Sequence, residues 1–441
     1  MKVHVVGAGL SGSEIAYQLA IRGLKVILHE MRPSKMTPVH KTSYFAELVC
    51  SNSLKSDSIK NASGLLKREL ELFGSLILRV ARNCAVPAGK ALAVDREEFS
   101  KQVTHVIRES GIDIVIEELR YIPDSKEDIW IIATGPATSD SFASWLREKV
   151  GHNMYFFDAV SPIITADSIN YSVVFRADRY GIGNQDYLNC PMNEYEYDRF
   201  YEALINAEVL PVKDFEKDLL FERCKPIEDI AKSGKRSLLF GPMKPIGIID
   251  PRTGKQPFAV VQLRKENLDE TLYNIVGFQT RLKWGEQRKI IRLIPGLEKA
   301  EIVRYGVMHK NIYINSRKVL DPFMRLKNDR KIFFAGQITG VEGYLESVAS
   351  GLYVALNVYR ISKNQEPLEL PKSTMTGCLL NYILKGNDTT LQPMYANYGL
   401  MGPANKNREE VAKTALRDLE NFLNYSQWKE GGIRENTVKG F

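Results

Sequence analysis

Cysteine is scarce in this sequence: Cys50, Cys84, Cys190, Cys224 and Cys378 are the five thiols in 441 residues. None forms a CxxC or stands at ligand spacing from a histidine. That pattern excludes a disulfide framework or a structural zinc site, so no metal is expected. Reduced thiols of a cytoplasmic enzyme are the simpler expectation, and they leave single cysteines free for chemistry. Long apolar runs are missing too; none approaches the roughly 18 residues of a membrane span. Lys2 leads directly into a short apolar strand and then glycines, so a signal peptide is not expected. Nor does one sign of charge dominate, since 60 Lys and Arg against 53 Asp and Glu leave +7. That excess permits an acidic partner such as RNA without requiring one.

What is present is the balance of a globular chain, 44% hydrophobic and 26% charged, too long for a single core. Val3 to Val6 reads as a buried strand, Gly7 to Gly12 as a glycine turn, and Ser13 to Ile21 as the start of a helix. Lys25 to His29 is a second strand ending at Glu30, which completes a βαβ unit. A helical segment follows over Leu65 to Val80, then a helix over Glu97 to Ser110. Strands are expected at Ile112 to Ile116 and Ile129 to Ala133.

Residues 155 to 280 change character. They mix β-like runs (Tyr171 to Phe175, Leu238 to Phe240, Phe258 to Leu263) with an aromatic-rich helix around Glu194 to Asn206. The α/β pattern returns with a strand over Lys331 to Ala335 and a helix from Gly343 to Tyr359. The expected fold is therefore α/β, a discontinuous FAD-binding Rossmann-like domain of glutathione-reductase type with a mixed α+β insertion. Its segments are 1–155, an inserted domain over 156–310 on the RNA or substrate side, and 311–441. The last segment ends in a polar helical tail from Asn405, read as a surface appendage.

Gly7-Ala8-Gly9-Leu10-Ser11-Gly12 is GxGxxG. Gly7 permits the tight turn, Gly9 lets backbone approach a pyrophosphate, and Gly12 lets helix pack on strand. The helix N-terminus offers free N–H groups and partial positive charge to the phosphates. Glu30, at the end of the second strand, is placed to accept ribose hydroxyls. Phe333 to Gly343 supplies a second strand-to-helix turn through Gly336, Gly340 and Gly343. A helix starting there would face a flavin pyrimidine, which favours FAD over NAD; an ordinary βα turn is the alternative.

Cys224 lies between Arg223 and Lys225, cations that stabilise a thiolate. Cys50 sits in the polar segment ELVCSNSLKS. A small buried hydrophobe is the usual fate of a lone cysteine, and it suits Cys84 and Cys378; for Cys224 both readings stand. Arg281, Lys283, Arg288, Lys289 and Arg292 surround Trp284, opposed nearby only by Glu286. Lys232, Lys235, Arg236 and Lys244 form a second basic stretch. Cations interleaved with aromatics suit phosphate contact and base stacking, and a solvated helix face is the alternative.

Together these segments resemble the folate- and FAD-dependent tRNA (uracil-5-)-methyltransferase family. The residues that carry the resemblance are Gly7 to Gly12 with Glu30-Met31-Arg32-Pro33, ELVCSNSLKS around Cys50, and Ala88 to Arg96 (AGKALAVDR). Phe221 to Glu228 (FERCKPIE) and Phe334 to Ser347 (FAGQITGVEGYLES) complete the set. The longer wobble-uridine tRNA flavoproteins share the glycine motifs but carry a further C-terminal helical region that is not expected here.

The resemblance implies methylation of C5 of a uridine in the T-loop of tRNA. Methylenetetrahydrofolate would give the carbon, and FAD reduced by NAD(P)H the hydride. It implies Cys50 and Cys224 as nucleophile and general acid/base. Gly7, Ala8, Gly9, Leu10, Ser11, Gly12, Glu30, Arg32, Gly336, Gln337, Gly340 and Gly343 would hold FAD. Glu342 and Tyr344 are the candidates for folate, and Arg281, Lys283, Trp284, Arg288 and Lys289 for RNA. No obligatory protein partner is expected. Ribosomal RNA methylation by the same chemistry and a small-molecule flavin oxidoreductase are the alternatives.

Overall fold

The computed structural model describes residues 1–428 except 38–39, 50–51, 89, 125–126, 156–157, 178, 182–186, 211–225, 266–269, 310–311, 387–390 and 403–406. The chain divides into two compact units. One comprises Met1–Phe156, Asn311–Met401 and Lys406–Phe441, the other Phe157–Lys310 with Gly402–Asn405.

The first unit is built on a six-stranded sheet. In spatial order its strands are Arg325–Leu326, Asp329–Phe334, Ile129–Ile132, Val3–Val6, Val26–Glu30 and Asp113–Ile116. All neighbours run parallel except the first pair. Parallel strands covered on both faces must be apolar throughout, and Ile129–Ile132 is buried at every residue. Helix Leu10–Ala20 follows the first strand and packs against the long helix Tyr344–Ser362. Gly351 permits their close approach, because a Cβ there would come within 2.8 Å of Ser11 Oγ.

Two buried carboxylates tie helices together in this unit. Glu14 accepts from Ser75 Oγ at 2.7 Å and from the N–H groups of Leu76 and Ile77 at 3.0 and 2.9 Å. It thereby satisfies the N-terminus of helix Leu76–Asn83. Glu69 does the same for helix Met375–Leu384, accepting from the N–H groups of Met375 and Thr376 and from Thr376 Oγ1.

The second unit carries an antiparallel six-stranded sheet, ordered Phe175–Arg176, Tyr187–Met192, Ala259–Lys265, Leu272–Ile275, Ile163–Thr165 and Ile302–Arg304. Its core gathers Leu188, Val261, Tyr273 and Ile275 with Tyr197, Phe200 and Leu204 of helix Glu194–Ile205. Asn193 and Glu196 close a capping box at the start of that helix.

Several local expectations change. The helical run over Leu65 to Val80 is two helices, Ala62–Phe73 and Leu76–Asn83. Gly74 terminates the first in the left-handed region (φ 75°), and the Ser75 side chain caps the second. Leu238 to Phe240 is a helical turn, Ser237–Phe240, closed by Gly241 N–H to the Leu238 carbonyl, not a strand. Tyr171 lies in a turn where Asn170 Oδ1 accepts the Ser172 N–H, so only Phe175–Arg176 joins the sheet. Over Asn407–Trp428 the tail is not a surface appendage. Helix Arg408–Tyr425 buries Ala412, Ala415, Leu419 and Leu423, and Trp428 is 1% exposed. Apolar residues at this helical spacing form a stripe that packing requires to be covered.

Candidate dinucleotide site

A cavity in the first unit opens at the carboxyl ends of the parallel strands, where open α/β sheets take their ligands. Each parallel strand delivers its last residues to it. Val6 and Gly7 follow the first strand, His29 and Glu30 end the second, and Glu117 and Glu118 follow Asp113–Ile116. Ala133 to Ser139 follow Ile129–Ile132, and Gly336 and Gln337 follow Asp329–Phe334.

The glycines differ in what they do. Gly7 has φ 98°, and a Cβ on it would meet the Ala133 carbonyl oxygen at 2.8 Å. A Cβ on Gly12 would fall 1.8 Å from the Gly7 oxygen, so the turn and the helix cannot separate to admit one. Around Gly9, by contrast, nothing among the described residues lies within 4 Å of a Cβ. Its bare backbone faces open space, the condition for close approach of a pyrophosphate. Ser11 Oγ is buried with no hydrogen-bond partner among the described residues, an unmet polar atom at the first turn of the helix.

Glu30 stitches this turn to the second strand. Its carboxylate accepts the Ala8 N–H at 2.9 Å and the Arg32 N–H at 3.0 Å, and pairs with the Arg32 guanidinium at 3.1 Å. Burial pushes the Glu30 carboxyl up, but Arg32 and the two N–H groups outweigh it and hold it below the usual range. Arg32 reaches on to the carbonyls of Thr42 and Tyr44, anchoring the segment that leads to Cys50. His29 lines the cavity with its imidazole 3.0 Å from His4 and stacked with Trp130. Burial, then the neighbouring His4, lowers its pKa to about 4, so it is neutral near pH 7.

Among the proposed cofactor residues, Gly7, Gly9, Leu10, Ser11, Glu30, Arg32, Gly336 and Gln337 line the cavity, as does Tyr344 of the folate pair. Ala8, Gly12, Gly340, Gly343 and Glu342 do not; they shape the turns behind it. A Cβ on Gly340 would strike Leu391, and the Glu342 N–H bonds the Met394 carbonyl. Cys50 and Cys224 lie outside the described residues. Cys84, Cys190 and Cys378 are buried, and burial pushes the Cys84 thiol up to about 11, which leaves it inert.

The lining from Glu117 to Leu119 and from Thr134 to Ser139 escaped sequence reasoning, although position just beyond a parallel strand is the signal that would have found it.

In the second unit the basic residues around Trp284 meet carboxylates, two from distant segments and one from the same helix. Arg281 pairs with Asp229 at 2.5 Å, Lys283 with Glu208, and Lys289 with Glu286 at 2.6 Å. Arg288 donates to the Tyr305 hydroxyl at 2.8 Å. Trp284 is 63% exposed and stacks on Tyr305, centroids 5.1 Å apart.

These residues fit the diphosphate and ribose of a dinucleotide. The open face of Gly9, the unmet Ser11 Oγ and the Glu30 carboxylate offer what phosphates and ribose hydroxyls need. With the second glycine turn at Gly336, fold and site define an FAD-dependent protein with a split Rossmann-like domain.

The family model described as glucose inhibited division protein A matches residues 2–366. The chain is 99% identical over 441 residues, all of both chains, to the methylenetetrahydrofolate--tRNA-(uracil-5-)-methyltransferase TrmFO of Pseudothermotoga lettingae. It is 56% identical over 430 residues to the protein of that name from Fervidobacterium nodosum, covering 98% of this chain and 99% of that one. The solved structure of Aquifex aeolicus GidA in its form II crystal superposes with a TM-score of 0.53 at 16% identity, over 99% of this chain and 74% of that one. That likeness concerns the fold alone. The chain belongs to the glucose inhibited division protein A family, and within it to the methylenetetrahydrofolate--tRNA-(uracil-5-)-methyltransferases.

Proposed function

We propose that this chain methylates C5 of a uridine in the T-loop of tRNA, in the cytoplasm. Methylenetetrahydrofolate is the carbon donor, and NAD(P)H reduces the flavin. The observation that carries the reading is near-identity, along the whole chain, with a relative bearing that name. The strand-end cavity, lined by the glycine turn and Glu30, supports the reading.

Gly7 to Gly12 and Ser11 Oγ would hold the diphosphate, Glu30 the ribose, and Gly336–Gln337 the opposite wall. Bound and reduced FAD supplies a hydride to complete the methyl group. The remaining chemistry falls to side chains. Uracil C5 is a weak nucleophile until a thiolate adds to C6, and we assign that addition to Cys224, whose neighbours Arg223 and Lys225 favour the thiolate. Once C5 has taken the methylene carbon, Cys50 would take the C5 proton as tetrahydrofolate departs, and hydride addition to the exocyclic methylene would expel the Cys224 thiolate from C6. Tyr344, at the first turn of its helix and on the cavity wall, is placed to stack on the pterin.

The test is incubation with unmodified tRNA, methylenetetrahydrofolate and NAD(P)H, followed by nucleoside analysis. We expect 5-methyluridine from the parent and none from Cys50→Ala or Cys224→Ala. Activity in both variants would defeat the cysteine assignment, and product only on ribosomal RNA would move the substrate.

The carboxylate pairing of Arg281, Lys283 and Lys289 weakens that cluster as the RNA contact, and a small-molecule flavin oxidoreductase is the alternative reading to test. Salt-dependent binding of tRNA separates the two, since phosphate contacts release counterions.

A further inference from the structure

The second basic stretch of the sequence becomes a distinct surface in the second unit. Leu238, Met243 and Ile248 are each 0% exposed and pin the segment Ser237–Arg252 into the core. Beside these anchors Phe240, Ile246 and Ile249 turn outward, 76%, 41% and 54% exposed, while Leu239 packs against the core. The backbone between them is fixed by bonds from Met243 N–H to the Leu238 carbonyl (2.9 Å) and from Ile248 N–H to the Pro245 carbonyl (3.1 Å).

Tyr180 completes the patch. Its N–H donates to the Gly247 carbonyl at 2.7 Å, and its ring lies against that glycine, where a Cβ would come within 2.9 Å of Cε1. The ring itself is 65% exposed. Arg179 donates to the Ile246 carbonyl beside it. Large apolar groups held outward on an ordered backbone cost solvation and mark an interaction surface.

Charge indicates what covers it. From Lys232 to Arg252 the sequence holds five Lys or Arg (232, 235, 236, 244 and 252) against one carboxylate, Asp250. Lys235 pairs with Asp198 and Arg252 with Asp250, but among the described residues no carboxylate pairs with Lys232, Arg236 or Lys244. In the Trp284 cluster, Arg281, Lys283 and Lys289 are matched by acids, while Arg288 donates to the Tyr305 hydroxyl and Arg292 to the Ala300 carbonyl. Aromatic faces with unmatched cations suit unstacked bases on a phosphate backbone.

We propose that Ser237–Arg252 with Tyr180 is a rigid tongue that takes an unstacked loop base of the RNA substrate, Arg236 and Lys244 contacting flanking phosphates. This rests on the RNA reading of the function and names the surface that serves it.

Two double variants of the FAD-loaded full-length protein test it, Phe240→Ser with Ile249→Ser and Arg236→Gln with Lys244→Gln. Anisotropy with labelled unmodified tRNA is followed over a potassium chloride series. The apolar pair should weaken binding on the order of tenfold with the salt slope unchanged. The basic pair should lower the slope of log K against log salt by about 1 to 2. Binding within twofold of the parent in both variants would overturn the tongue. So would a change in oligomeric state with tRNA affinity intact, which would mean that a second copy covers the patch. Absence of tRNA binding by the parent overturns tongue and function alike. Binding without 5-methyluridine formation would strike the function alone.

Discussion

Ser11 and Gly336, from opposite ends of the chain, face each other so closely that a Cβ on Gly336 would lie 3.1 Å from Ser11 Cβ. The dinucleotide cavity is thus a joint between two distant strand-to-helix turns. Gly336 has φ 78°, a conformation that L side chains rarely adopt, so both space and backbone hold glycine there.

The glycine turn yields a paired prediction. Gly12→Ala forces a carbon into the Gly7 carbonyl and should both unsettle the fold and abolish flavin binding. Gly9→Ala meets no atom of the described residues within 4 Å. It should leave apoprotein stability unchanged while flavin affinity falls tenfold or more. Flavin content and thermal melting of the apoprotein check both, and unaltered affinity in Gly9→Ala would place the pyrophosphate elsewhere.

Tyr344 stands on the cavity wall at the start of its helix. Tyr344→Ala should weaken binding of methylenetetrahydrofolate about tenfold, the scale of a lost aromatic stacking partner, with FAD content unchanged. Isothermal titration measures it, and an unchanged folate affinity would leave Tyr344 with a packing role only.

Glu69 gives the stability a pH dependence. Burial pushes its carboxyl up to about 7 against the donors Thr376 and Met375. The fold therefore binds this proton more tightly than the unfolded chain, whose glutamates titrate near about 4.3. The associated stability is full below about pH 4.3 and is lost as pH rises through about 7. Denaturant unfolding should show Glu69→Gln flattening the fall in stability across that window relative to the parent. Parallel curves for the two proteins would contradict this.

Trp428 anchors the C-terminal helix. Its indole N–H donates to the Phe73 carbonyl at 2.9 Å, and the Arg22 guanidinium lies 3.4 Å from its ring centroid. Trp428→Ala should cost about 3–5 kcal/mol and lower the melting temperature by several degrees, because it leaves a cavity and strips a buried cation of its partner. A melting temperature equal to the parent's would restore the tail to the surface.

The first unit was legible where short-range chemistry dictates form. Gly7 to Gly12 announced a strand, a turn and a helix because those glycines meet backbone at 1.8 to 2.8 Å or face open space. Glu30 was legible from its distance along the βαβ unit. Position after a strand, with no distinctive residue type, hid Thr134 to Ser139, and a single left-handed glycine, Gly74, divided a helix that apolar periodicity joined.

By itself the sequence determined the dinucleotide turn and the family, since these depend on residue identity at fixed spacing. Only the tertiary structure decided which charges are free. Arg281 and Lys283 read as an exposed basic cluster until Asp229 and Glu208 were brought beside them from other parts of the chain. Lys244 and Arg236 gained no such acid among the described residues, and Phe240 was left facing water beside them. Coulomb energy depends on distance in space, and sequence spacing fixes that distance only within one helix or strand.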